Sequence, residues 1–129
     1  MAAKKILNIV TKSFRATLEE QDDTVVWLVH TLKANGADVD LLLRGSSVVY
    51  GLKGQNPPTM RIGSWMQKNS PRFERDLKML SDKGISLFYL EEDAEKLGIQ
   101  KTDLMENCQP VSKKTLPALF SNYEHVWQW

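Results

Sequence analysis

The segment Gly84 to Gly98, GISLFYLEEDAEKLG, constrains the fold more than any other stretch. An apolar run of strand length, Ile85 to Leu90, passes without a linker into an acidic helix start at Glu91, Glu92 and Asp93. A continuous apolar run suits a strand buried on both faces, and such strands belong to parallel sheets whose crossovers are helices. In an open sheet of that kind, working residues gather just beyond the carboxyl ends of the strands, which directs attention to Leu90 through Asp93. No cysteine, serine or histidine stands there.

The rest of the chain repeats the alternation. Lys5 to Val10 is a short apolar run, followed by a polar loop from Thr11 to Thr17 and an amphipathic helix from about Leu18 to Asn35. Val25, Leu28, Val29 and Leu32 recur at i, i+3, i+4 and i+7, the spacing of a helix face laid on a sheet. Val39 to Leu43 is a second strand, and Arg44-Gly45-Ser46-Ser47 caps a short helix through Tyr50. Ser70 and Pro71 start a helix through Phe73, Leu77 and Leu80, closed at Lys83-Gly84. After the helix Glu91 to Leu97 and a turn within Lys101 to Glu106, Cys108 to Val111 is a fourth strand, Ser112 to Ser121 a helix, and Glu124 to Trp129 a terminal strand. With no hairpin dipeptide between adjacent apolar runs, these elements predict a single-domain, three-layer α/β/α fold on an open parallel sheet of about five strands.

Residues 51–70 interrupt this pattern with three glycines and two adjacent prolines. Loops of this length are lids, binding loops or disordered segments. Met60, Ile62, Trp65 and Met66 make it too apolar for a solvated linker, so it is expected to form a short helix or to cover a partner surface.

Composition narrows the function. The 129 residues suffice for one core, and 17 Lys and Arg against 16 Asp and Glu leave no basic field for nucleic acid or an anionic membrane. The apolar run in MAAKKILNIV is too short for a leader or a membrane span, so a soluble cytoplasmic protein is expected. One cysteine, Cys108, excludes an internal disulfide and a Cys-based zinc cage. No glycine loop for phosphate follows the first strand, so no nucleotide cofactor is expected. His30 and His125 lack metal-ligand spacing, and no metal site is expected.

KILNIVTKSFRATLEEQDDTVVWLVHTLKANGADVDLLLRGSSVVYGL resembles the opening β-α-β of the DsrE/DsrF/DsrH family, also called TusD/TusC/TusB. ISLFYLEEDAEKLGI resembles the segment in which that family's strand delivers its active-site loop. The ending YEHVWQW is similar to the aromatic terminal strand of the DsrH/TusB branch. The resemblance implies an open five-stranded parallel sheet, oligomeric assembly and intracellular sulfur metabolism. In DsrE/TusD-like subunits a cysteine after the third of these strands carries persulfide sulfur; the matching position here falls at about Leu90, and Tyr89, Glu91 and Glu92 supply no thiol.

A sulfur carrier needs an exposed thiolate of lowered pKa, and carboxylates at Glu91, Glu92 and Asp93 raise the pKa of a neighbouring thiol. Acidic residues in a first turn are explained by the helix macrodipole alone. Cys108 is the remaining nucleophile candidate, with Lys113 and Lys114 near in sequence, although a lone cysteine is commonly a small buried hydrophobe. Lys12 and Arg15 are candidate anion contacts. Leu90, Glu91, Glu92, Trp65, Trp127 and Trp129 are candidate binding or interface residues. Trp127 and Trp129 share one strand face and are expected to be buried there within an oligomer.

The expected function is a structural or partner-binding member of a sulfur-relay system, of the sulfur-oxidation or tRNA-thiolation type, without independent catalysis. Its expected partners are copies of itself, homologous relay subunits or a small sulfur-carrier protein. An active sulfurtransferase using Cys108 and a small-molecule-binding α/β module are the alternatives.

Overall fold

The computed structural model describes residues 5–13, 23–56, 58–68 and 72–129. In chain order it contains β1 (Lys5–Val10), α1 (Thr24–Ala34), β2 (Asp38–Leu43), a 3-10 segment (Gly45–Gly51), the short strands β3 (Arg61–Ile62) and β4 (Trp65–Met66), and α2 (Phe73–Asp82). There follow β5 (Leu87–Leu90), α3 (Glu91–Lys96), a 3-10 turn (Lys101–Asp103), β6 (Cys108–Val111), α4 (Leu116–Phe120) and β7 (His125–Gln128). Five strands form one parallel sheet in the order β6-β5-β2-β1-β7, the open α/β architecture expected from the alternation of elements.

That order dictates the layers. The steps from β1 to β2, β2 to β5 and β5 to β6 advance in one direction, whereas the step from β6 to β7 returns across the sheet to the far side of β1. Parallel crossovers are right-handed, so a run of steps in one direction puts its helices on one face and the reversed step puts its helix on the other. Accordingly Val25 and Val29 of α1, Leu77 and Leu80 of α2, and Ala94 of α3 share a core with Val10, Leu41, Leu43, Leu87 and Tyr89. On the opposite face Leu116 of α4 meets Leu7, Ile9, Leu42 and Leu90. Alternate residues of each strand serve the two cores, which is why the strand sequences are apolar at nearly every position.

The second face is thin, and beyond α4 a polar cluster covers it. The Tyr123 hydroxyl donates to Asp40 Oδ2 at 2.6 Å, the Ser86 N–H donates to Asp40 Oδ1 at 2.8 Å, and Lys5 Nζ lies 3.6 Å from the same carboxylate. Burial, reinforced by the adjacent Asp40 carboxylate, pushes the Tyr123 phenol well above its ordinary pKa.

Several local expectations are revised. The described helix α1 starts at Thr24, where Asp23 caps it, Asp23 Oδ1 accepting the Val25 N–H at 2.8 Å; the expected start at Leu18 lies outside the described residues. The other oxygen of Asp23 accepts the Tyr50 hydroxyl at 2.6 Å, and the Tyr50 ring stacks on Phe73 with centroids 4.3 Å apart. The expected Ser70 cap and Pro71 lie outside the described residues. Within 51–70 the structure has a two-residue hairpin, not a short helix: Ile62 faces Trp65 across a Gly63-Ser64 turn whose Gly63 has φ 60°. Its strands are too short to show a period, so the apolar residues gave no strand signal.

The aromatic tail lies along the margin of the sheet. Trp127 and Trp129 do lie on one face of β7, with rings edge to face at 6.5 Å, but they are 39% and 42% exposed and not buried within this chain. The physical reason is position, since β7 is an edge strand with β1 on one side alone. Trp129 is still tied in: its indole N–H donates to Asn8 Oδ1 at 3.2 Å and its backbone N–H to Ile9 O at 2.9 Å. A chain ending at Val126 loses both bonds and two half-buried rings, and should be destabilised by about 2–4 kcal/mol, less than for fully buried tryptophans. Thermal and denaturant unfolding check this; melting unchanged from the full chain would show the tail to be an appendage.

Candidate functional site at the carboxyl edge of the sheet

The loops at the carboxyl edge are fastened to one another by backbone-directed hydrogen bonds. Ser47, at the start of the 3-10 segment after β2, donates its hydroxyl to Val10 O at the end of β1 and accepts the Arg44 N–H at 3.1 Å. Gly45 donates its N–H to Asp93 Oδ2 at 2.7 Å, joining the end of β2 to the first turn of α3. Only glycine fits there, because its φ is +56° and a Cβ would stand 2.8 Å from Thr11 O. Glu92 accepts the Lys113 N–H at 3.0 and 3.1 Å, joining α3 to the loop after β6. The acidic triplet is therefore more than a helix start: two of its three carboxylates pin neighbouring loops, and exposed Glu91 lines a cleft of about 300 Å³ with Tyr89 and Lys101.

Leu90, a candidate binding residue by sequence, is fully buried between Leu7, Ile9, Leu42 and Leu116 and cannot touch a partner. Its side chain points into the second core because β5 alternates, so the position that matches the carrier cysteine of DsrE/TusD-like subunits in the resemblance faces the protein interior. Lys12 is exposed in the loop after β1, and Arg15 lies outside the described residues. The strand order adds what the sequence did not show. The order in which strands are added to the sheet switches sides between β1 and β7, and in open parallel sheets such a switch point is where ligands commonly bind. Thr11 and Ser13 stand at this point; Thr11 Oγ1 donates to Trp129 O at 2.9 Å, and the Ser13 hydroxyl donates to Ser46 Oγ at 2.9 Å.

Cys108 occupies the other end of the sheet. It opens β6 opposite Leu87, the first residue of β5, whereas Leu90 pairs with Val111. The thiol is 4% exposed in the main core, close to where a Cβ on Gly51 would stand, and burial pushes its pKa up to about 11. The lysines that share its cleft of about 300 Å³ are Lys53 and Lys101, not the sequence neighbours Lys113 and Lys114, and Glu106 lines the same cleft. These cations do not offset the desolvation.

Other sequence candidates are dispersed. Trp65 sits on the hairpin beside exposed Ile62 and Met66. His30 Nε2 lies 2.8 Å from Lys83 Nζ, while His125 stacks on Trp127 with centroids 6.4 Å apart. Among the described residues no three His, Cys, Asp or Glu side chains are placed to hold a metal ion, and no helix is long and apolar enough to cross a membrane. A basic cleft of about 340 Å³, lined by Arg72, Arg75 and Lys78 of the α2 region, escaped the sequence reading; its one acid, Glu74, accepts the N–H groups of Gly54 and Gln55.

Solved structures with this architecture include the YchN protein from E. coli, at 15% identity and a TM-score of 0.72, with 98% of this chain and 99% of that chain covered. MTH1491, a protein of unknown function from Methanobacterium thermoautotrophicum, matches at 12% identity and a TM-score of 0.64, with 98% and 99% covered. The chain thus has the DsrE-like fold. No family model matches the sequence, and no curated protein matches it.

Two measurements probe these placements. With a pKa of about 11, about one thiol in a thousand is ionised at pH 8, so native Cys108 should label slowly, with a rate that climbs as pH rises toward 11 and becomes fast on denaturation. Rapid native labelling at neutral pH would contradict the burial. Gly45→Ala should cost about 2 kcal/mol or more through left-handed strain and the clash with Thr11 O; unfolding in urea reads the loss, and a neutral result would mean that the junction is not tight.

Proposed function

We propose that this protein is a structural or partner-binding member of an intracellular sulfur-relay assembly and does not itself carry sulfur. The observation that carries the reading is the position of its sole thiol: Cys108 is buried at the amino end of β6, while the carboxyl edge of β5 presents buried Leu90 and carboxylates engaged with neighbouring loops. The DsrE-like fold and the sequence resemblance to DsrE/DsrF/DsrH proteins support placement in sulfur relay. Persulfide transfer requires a nucleophilic thiolate within reach of a partner's sulfur, and a thiol desolvated among Leu43, Gly51 and Leu104 lacks both charge and access.

What the chain offers instead is apolar surface. Ile62, Trp65 and Met66 project from the hairpin, and Val126, Trp127 and Trp129 from the terminal strand, each at least 37% exposed. Large aromatics with polar surroundings are the residues that anchor protein interfaces. Copies of this chain, homologous relay subunits or a small sulfur-carrier protein are the partners proposed.

Co-expression with the sulfur-relay subunits encoded by the same organism, followed by native mass spectrometry, tests the assignment. A stable complex is expected, together with no added sulfur on Cys108 after incubation with a persulfide donor. A persulfide trapped on Cys108 of folded protein would replace this reading with that of an active sulfurtransferase; failure to associate with any relay subunit would remove the protein from the system.

A further inference from the structure

The two edges of the sheet are not equivalent. β6 contains Pro110, which has no N–H to offer, and proline on an outer strand is a device that blocks further pairing. β7 has no such guard. All four of its residues are exposed, the stretch His125 to Trp129 contains no Lys, Arg, Asp or Glu, and no described strand lies on its outer side. Trp129 directs its N–H to Ile9 O and accepts the Thr11 N–H, so it and, by alternation, Trp127 turn their main chains toward β1. Val126 and Gln128 then point their N–H and C=O groups outward, unsatisfied by the sheet.

From this edge we infer that β7 pairs antiparallel with β7 of a second copy of this chain, joining two five-stranded sheets into one. The strand is its own complement. With the two-fold axis at Trp127, Val126 stands opposite Gln128 of the second copy, and each such pair exchanges both N–H···O bonds, giving four in all. Trp127 then faces Trp127 of the second copy in the non-hydrogen-bonded position, where side chains approach most closely, and His125 faces Trp129. The neutral segment places no like charges against each other, and the pairing covers Val126, Trp127 and Trp129, all of them exposed apolar side chains in the single chain. This inference does not rest on sulfur relay, and it commits to a like copy because the strand's own bonding pattern supplies the matching donors and acceptors.

Sedimentation or light scattering of the purified full chain reads the mass. A dimer is expected for the natural sequence. Gln128→Pro removes an outward N–H and leaves the β1-facing groups in place, so it should halve the mass while the circular dichroism stays native. Trp127→Lys and Trp127→Glu should each be monomeric, because the axis sets like charges opposite one another, and mixing the two should restore a mixed dimer. A strictly monomeric natural chain overturns the inference. So does a dimer that survives in Gln128→Pro or in either charge variant, which would place the contact elsewhere, such as the hairpin; so does a mixture of folded charge variants that fails to associate. If the charge variants do not fold, the mass of Gln128→Pro decides alone.

Discussion

The handedness of the crossover connections governs the molecule. Three successive steps in one direction load α1, α2 and α3 onto one face of the sheet, and the single return step leaves α4, five residues long, to cover the other. One face thus gains a deep core around Leu41, Leu43, Leu87 and Tyr89. The other gains a smaller core around Leu7, Leu42 and Leu90, extended by the Tyr123–Asp40–Lys5 cluster. The same return step makes β7 an edge strand and sets the switch in strand order beside β1, so the exposure of the terminal tryptophans and the position of that switch share one origin.

At the carboxyl edge the chemistry follows from how the loops are closed. Gly45, Ser47, Glu92 and Asp93 act on backbone groups, holding the ends of β1, β2, β5 and β6 in register with one another. A carboxylate already accepting a backbone N–H has less capacity to serve as a base, and a side chain pointing into the core cannot serve at all. Desolvation raises the pKa of the one thiol: the packing that makes Cys108 a good core residue disfavours its thiolate. What these edge residues contribute is the anchoring of one loop to the next, while the exposed aromatic and aliphatic side chains stand elsewhere, at the hairpin and the terminal strand.

Much of the architecture was legible because it rests on local periodicity. Lys5 to Val10, Val39 to Leu43, Ile85 to Leu90 and Cys108 to Val111 read as strands and are strands, to within a residue or two. At the start of α1 the apolar spacing extends backwards to Leu18 without contradiction, whereas the cap that bounds the described helix is the polar pair Asp23-Thr24. The hairpin escaped because two residues cannot display alternation. Sequence proximity suggests Lys113 and Lys114 as neighbours of Cys108, yet its cleft takes Lys101 from the turn before β6 and Lys53 from beyond the 3-10 segment, more than fifty residues away in the chain.

The sequence by itself determined the class of fold, the lack of a thiol after β5 and the apolar character of the terminal strand, since each depends on residue identity and short-range pattern. Tertiary structure alone decided the strand order, which side of Leu90 faces inward, how buried Cys108 is, and that Trp127 and Trp129 stand on an open edge. Those properties depend on which distant segments meet, and periodicity reports that a face is apolar without naming what covers it.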